Sequence, residues 1–246
     1  MAEGTAAGRT KFVVGLVLLV VALSVLVSLG TWQVRRLHWK EALIADIEAR
    51  RTLPPASLSE IEAMAARGED FEYRPVRVEG RFLNDRERHF FATFDGRTGY
   101  YVYTPFELDD GRFLFVNRGF IPYEMKDPAS RREGLPDGRQ TVTGLARARL
   151  AGKPSWVVPE NDVAGDIFYW KDLSAMAASA GLAEQNVVQF FVDADATPVA
   201  GGWPKGGVTQ IDLPNDHLQY AITWYGLAVV LLVISIAAYL RGRKQK

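Results

Sequence analysis

The chain has no cysteine, only three histidines and no net formal charge. Without cysteine it forms no disulfides, and zinc fingers and thiolate copper carriers are excluded because both need sulfur ligands. His38, His89 and His217 sit in no H-E-x-x-H arrangement, and there is no G-x-S-x-G elbow. GTAAG at Gly4 precedes an apolar run rather than following a strand, so it is not a dinucleotide fingerprint. The 29 basic residues are balanced by 29 acidic ones with no long basic stripe, which argues against nucleic acid. These absences together argue against an enzyme.

What is present is uneven. Phe12 to Leu29 reads FVVGLVLLVVALSVLVSL, eighteen residues without a charge, and Leu218 to Leu240 is a second uncharged run of twenty-three. As a helix the second is roughly 34 Å long, enough to cross a bilayer with some tilt. The first reaches a similar depth when Gly30, Thr31 and Trp32 are included. It is longer than the apolar core of a cleavable signal, and no small-x-small site follows, so the reading is an uncleaved anchor. Only Met1 to Lys11 precede it, with Glu3 among them and no Arg/Ser-rich amphipathic stretch, which favours a bacterial inner membrane over a mitochondrial precursor.

The expected layout is a cytoplasmic segment 1–11, a span 12–32, a periplasmic domain 33–216, a second span 217–240 and a basic tail 241–246. Orientation rests on that tail, Arg241, Arg243, Lys244 and Lys246, set against Asp212 and Asp216 on the other side. Arg35, Arg36 and Lys40 after the first span outnumber Arg9 and Lys11 before it, but long domains cross largely regardless of charge.

Trp32, Trp39, Leu43 and Ile47 recur at helical spacing, so the first span is expected to continue as an amphipathic helix up to Pro54 and Pro55. SLSEIEAMAARG reads as a short helix with a Ser59/Glu62 capping box and a stop at Gly68. YRPVRVEGRFL, RHFFATF, GYYVYTPFEL, RFLFVNRGFIP, QTVTGLARARL and VVQFFVD carry strand character, with turns at Asp95-Gly96 and Asp109-Asp110-Gly111. A helix over Leu173–Ala180 starts near Asp172 or Ser174 and stops at Gly181. The fold class is a membrane protein with two transmembrane helices flanking a mainly antiparallel β (α+β) domain. Val78-x-Gly80 and Val142-x-Gly144 look alike but are too short to make a repeat.

His89 reads as an exposed or cross-strand polar residue, and His38 as an interfacial one. His217 differs by position. With a helix starting near Asn215, His217, Tyr220, Ala221, Trp224 and Ala228 share one face. An imidazole above aromatic surface and small residues is what a haem needs: an axial nitrogen, apolar walls and an opening at the membrane edge. Arg35 or Arg36, or Arg118 in a turn of the domain, would supply cations for its propionates. The other reading of the same spacing is an interfacial histidine at a helix start, with Tyr220 and Trp224 in an aromatic belt.

LGTWQVRRLHWK, YRPVRVEGRFL, GYYVYTPFELDDGRFLFVNRGFIP and PNDHLQYAITWYGLA occur in that order, with VTGLAR and KPSWVVPENDVAGDIFYWKDL between the last two. These stretches resemble the surfeit locus protein 1 family, assembly factors for cytochrome c oxidase and related haem-copper oxidases. The match covers about Gly30 to Ala228, with Phe120 where many members carry tryptophan. The resemblance implies a non-enzymatic role in respiratory-chain biogenesis: transient binding of haem a and its delivery to subunit I, with haem a biosynthesis enzymes and the lipid bilayer as further partners. It implies His217 as a haem-binding residue and axial iron ligand. Trp224 and Tyr225 match the family's aromatic pair, and Arg118 and Gly119 match its Asn-Arg-Gly turn. A scaffold that stabilises an oxidase intermediate without touching haem fits the same layout.

Overall fold

A computed structural model describes residues 3–209 and 213–244. They form two compact units, Met1–Asp46 with Asp212–Lys246, and Ile47–Ile211.

The first unit is a pair of long helices. Helix α1 spans Glu3–Arg51 without a break, 49 residues, so the apolar span and the amphipathic stretch after it are one rod. The last helix, numbered α4 in chain order, spans His217–Lys244. Both are long and apolar enough to cross a membrane, and the protein is a two-span membrane protein. Their contacts run in opposite directions along the chain: Gln33 meets His217, Thr31 meets Tyr225, and Phe12 meets Tyr239 at 6.3 Å between rings. The pair is therefore antiparallel. Small residues line the seam, as they must where two helices pack in hydrocarbon. Ala221 and Ala228 are buried, and a Cβ on Gly30 would lie 2.8 Å from the Tyr225 ring.

The second unit is built on a sheet. Its strands are β1 (Ala56–Ser57), β2 (Pro75–Phe82), β3 (Arg88–Phe94), β4 (Arg97–Leu108), β5 (Phe113–Pro122), β6 (Gln140–Ala148) and β7 (Val187–Ala194). Two short helices accompany them, α2 (Leu58–Ala66) and α3 (Leu173–Ser179). The sheet order is β1-β2-β6-β7-β5-β4-β3, and β2 also pairs with β4 through Gly80, Arg81 and Phe82. That second pairing closes β2, β6, β7, β5 and β4 into a five-stranded barrel. Most neighbours are antiparallel, while β5 with β7 and β1 with β2 are parallel. The two Val-x-Gly stretches turn out to lie side by side, with Val78 opposite Val142.

Inward-facing residues of alternate positions fill the barrel: Val76 and Val78 from β2, Phe106 from β4, Leu114 and Val116 from β5, Phe190 and Val192 from β7. Ile61 of α2, fully buried, joins this core. A second core lies on the outer face, where Leu173, Met176 and Ala177 of α3 pack against Tyr103, Phe115 and Phe191. Asp95 and Gly96, both with positive φ, make the tight β3–β4 turn. Asp172 caps α3 through the Ala175 amide.

The helix after the prolines starts two residues earlier than the sequence pattern suggests. Ser57, not Ser59, is its cap, and Glu60, not Glu62, completes the capping box. Glu62 is instead paired with Arg112 across the domain. Both serines stand three residues before a glutamate, so the pattern fits either register; what decides is that Ser57 is also the last residue of β1, where the chain is already extended.

Candidate functional site

His217 is the first residue of α4 and is half-buried. Its Nδ1 lies 2.6 Å from Oε1 of Gln33, a residue of α1 that is itself buried. An amide oxygen only accepts, so Nδ1 donates and the neutral ring keeps its lone pair on Nε2. Histidine ligands of metals are commonly held in this way, with one nitrogen bonded to an oxygen and the other free for the metal. The donor set therefore fits an axial haem ligand.

The other residues singled out by spacing divide. Trp224 is half-buried beside the seam residues Ala221 and Ala228. Tyr220 is 54% exposed. Tyr225 serves the helix pair itself: its hydroxyl is 3.0 Å from Thr31 Oγ1 and its ring fills the space above Gly30. Arg35 is exposed two residues beyond Gln33 and makes no ion pair among the described residues. Arg36 stacks 4.3 Å over Trp39. His38 is exposed, with Glu41 at 3.4 Å. Gln33 was not among the residues the sequence pattern singled out; it lies inside LGTWQVRRLHWK, but nothing in one helix's spacing tells which residue of another it will meet.

Arg118 stands in β5, not in a turn. The pairing of β4 with β5 slips between Tyr101–Phe120 and Tyr103–Asn117, so β5 carries one extra residue, a β-bulge. Gly119 occupies it with φ +123, and a Cβ there would strike the Lys205 carbonyl oxygen at 2.0 Å. The bulge goes with an inward-facing Arg118, which is 4% exposed. Its guanidinium lies 4.6 Å over the Phe82 ring, and Nη1 donates to Asn84 at 3.2 Å and Glu87 at 3.4 Å. Nη2 donates to the Gly134 carbonyl. Arg131, also buried, holds the other oxygen of Glu87. Burial draws the Arg118 pKa down to about 10, with Glu87 opposing and Arg131 adding to the fall. Most of its donors are committed within the domain.

A second polar cluster centres on Asp193, which accepts from Asn117 at 3.0 Å, Arg147 at 2.8 Å and Thr209 at 2.9 Å. Burial holds Lys171 below its usual range, with Asp193 opposing. Burial also works against the charge of Arg147, but Asp193 and Glu72 outweigh it and its pKa ends above the ordinary value. His89 is a cross-strand residue, opposite Val102 of β4, but it is not exposed: it is 4% exposed, with Nδ1 2.7 Å from Asp166 Oδ2. The inward-facing position in β3 and the loop that brings Asp166 over it account for the difference. No group of three or more His, Cys, Asp or Glu residues able to hold a metal ion occurs among the described residues.

The SURF1 family matches residues 20–229. Surfeit locus protein 1 of Rattus norvegicus is 36% identical over 230 residues, covering 87% of this chain and 72% of that protein. The Homo sapiens protein of the same name is 34% identical, covering 87% and 74%. The Takifugu rubripes protein is 33% identical, covering 88% and 93%. The matched region takes in Gln33, His217, Trp224 and Tyr225 together with the whole barrel, and the chain belongs to the SURF1 family, the cytochrome oxidase assembly factors.

Proposed function

We propose that the protein binds haem a through His217 and passes it to subunit I of a haem-copper oxidase. The observation that carries this reading is the Gln33–His217 hydrogen bond, which leaves Nε2 of a half-buried imidazole free at the start of the second span. Tyr220 and Trp224 offer flat apolar surface one and two turns along the helix, and Arg35 is a free exposed cation at the depth of Gln33. Arg118 is not among these groups; its Nη1 and Nη2 donate to Glu87, Asn84 and Gly134. His217 would hold the cargo through one protein nitrogen, a grip that allows release. The basic tail from Arg241 supports cytoplasmic termini and a periplasmic barrel in a bacterial inner membrane.

The test is to purify the protein from a host that makes haem a and record its absorption. A Soret band in the wild type that is lost in His217→Ala, at equal protein level, supports the reading. Equal haem in both overturns the ligand assignment. A wild type without haem that still brings subunit I with it, unaffected by His217→Ala, establishes a scaffold instead.

A further inference from the structure

Among the described residues of the barrel unit, the most exposed large apolar side chain is Trp156, at 90%, followed by Val157 at 65%. They lie at the tip of the loop between β6 and α3, in the sequence KPSWVVPEN. The exposure is built rather than loose. Val158 N donates to the Ser155 carbonyl at 3.2 Å, which closes a turn with Trp156 and Val157 at its apex. Pro154 and Pro159 fix φ on either side. Lys153 pairs with Glu160 across the neck. Below it, Asn161 Oδ1 accepts from the Tyr169 and Trp170 amides at 2.8 and 3.2 Å. An indole and an isopropyl group are held out into solvent on a braced stem.

We propose that this tip inserts into the lipid interface of the membrane that carries the protein. Trp and Val together offer about 300 Å² of apolar surface, well short of the ~800 Å² per partner that a stable protein interface needs. A fluid bilayer has no such threshold. Tryptophan, apolar in its body with one N–H donor, suits the headgroup boundary. The two spans tether the barrel, and only eight Cα-to-Cα steps separate Thr209, bonded to Asp193, from His217. Fully extended they reach about 28 Å, so a contact too weak to recruit a free protein is enough to hold a tethered one. The cation at the neck, Lys153, is paired with Glu160, so the contact needs no anionic lipid and is insensitive to salt.

The absence of cysteine makes the test direct, because Val157→Cys provides one labelling site in the full-length chain. A nitroxide there is compared, in phosphatidylcholine nanodiscs, with one at Asp137→Cys in the exposed segment before β6. The expected result is an oxygen-to-nickel-chelate collision ratio several-fold higher at 157 than at 137, unchanged when phosphatidylglycerol is added. Adding Trp156→Ser returns it to the value at 137. A label at 157 as open to the chelate as the one at 137 overturns the proposal, as does one shielded from both reagents, which marks a protein contact. A ratio that survives Trp156→Ser overturns the role of the indole.

Discussion

The charged clusters of the barrel and the seam of the helix pair use their polar groups differently. In the barrel, Glu87 is shared by two buried arginines, and Asp193 accepts from three donors. In the helix pair, two bonds cross the seam between side chains of the described residues, Gln33–His217 and Thr31–Tyr225. One of them leaves a ring nitrogen unspoken for. The Glu87 and Asp193 clusters are therefore structural and nearly saturated, although the same unit also buries His89 Nε2, Thr104 Oγ1 and Trp170 Nε1 without a hydrogen-bond partner among the described residues; the helix pair keeps the half-buried His217 Nε2 in hand. Arg118 has most of its donors committed within the domain, whereas Gln33 holds one nitrogen of His217 and leaves the other free.

The largest expected effect breaks the saturated side. Glu87→Gln leaves Arg118 and Arg131 buried without a carboxylate between them, and should cost the barrel about 3–5 kcal/mol. Chemical denaturation of the full chain, followed by near-UV circular dichroism, measures it. Replacing all three by apolar residues of similar volume should cost less than the single change, since no uncompensated charge remains. A Glu87→Gln barrel as stable as the wild type would mean that the cluster is not what holds β5 to the loop at 131–134.

Next in size is the open side. If Gln33 orients His217 for iron, Gln33→Leu should weaken haem retention by about 10- to 100-fold while leaving protein stability nearly unchanged. Gln33→Glu keeps an acceptor opposite Nδ1, so it should retain haem and lower the iron reduction potential by making the imidazole more electron-rich. Redox titration of the bound haem separates this from a packing role. Equal potentials in the wild type and Gln33→Glu would sink the orienting role even if Gln33→Leu binds poorly.

A third effect appears only in alkali and belongs to the barrel. Burial, reinforced by Asp193, raises the phenol of Tyr103 well above the ordinary range. Burial and then Tyr123 push Tyr100 up to about 12. Both pKa values are higher folded than unfolded, so the folded chain keeps protons that the unfolded chain releases at about pH 10. The contribution is complete below pH 10 and fades as pH climbs through the folded values. Denaturation midpoints should therefore decline as pH rises from about 10 to 12, while native phenolate absorbance lags behind that of the unfolded chain. Coincident titration of all nine tyrosines near pH 10 would contradict it.

The two units also differed in how far they could be read from sequence. Strands β2 to β7 announced themselves through alternation and aromatic content, and the spans through uninterrupted apolar runs. Barrel closure was not legible, because it depends on Phe82 meeting Phe106 across a turn of the sheet while β2 also pairs with β6. The Arg118 bulge left a trace in its glycine, but Asn-Arg-Gly reads equally well as a turn. At the candidate site the helical period placed His217, Ala221, Trp224 and Ala228 together, as the structure does. It also put Tyr220 among them, because a single helix's period fixes neighbours to within a turn and only the partner helix decides which edge is covered.

The smallest effect concerns α2, which has nine residues where α1 has 49 and α4 has 28. Long spans lose little by fraying at their ends, but a helix of two and a half turns depends on its cap. Ser57 Oγ accepts from the Glu60 amide at 3.3 Å, and Glu60 Oε2 accepts from the Ser57 amide at 2.7 Å. Ser57→Ala should destabilise the barrel by about 1 kcal/mol. Ser59→Ala, which removes only a 3.1 Å contact with the Ser57 hydroxyl, should stay within about 0.5 kcal/mol of wild type. Because Ile61 of the same helix is fully buried in the barrel core, the loss at Ser57 should appear in the global unfolding transition rather than as local fraying. Hydrogen exchange at the Glu60 and Ile61 amides, compared with global denaturation of the two variants, decides whether α2 unfolds with the barrel or ahead of it.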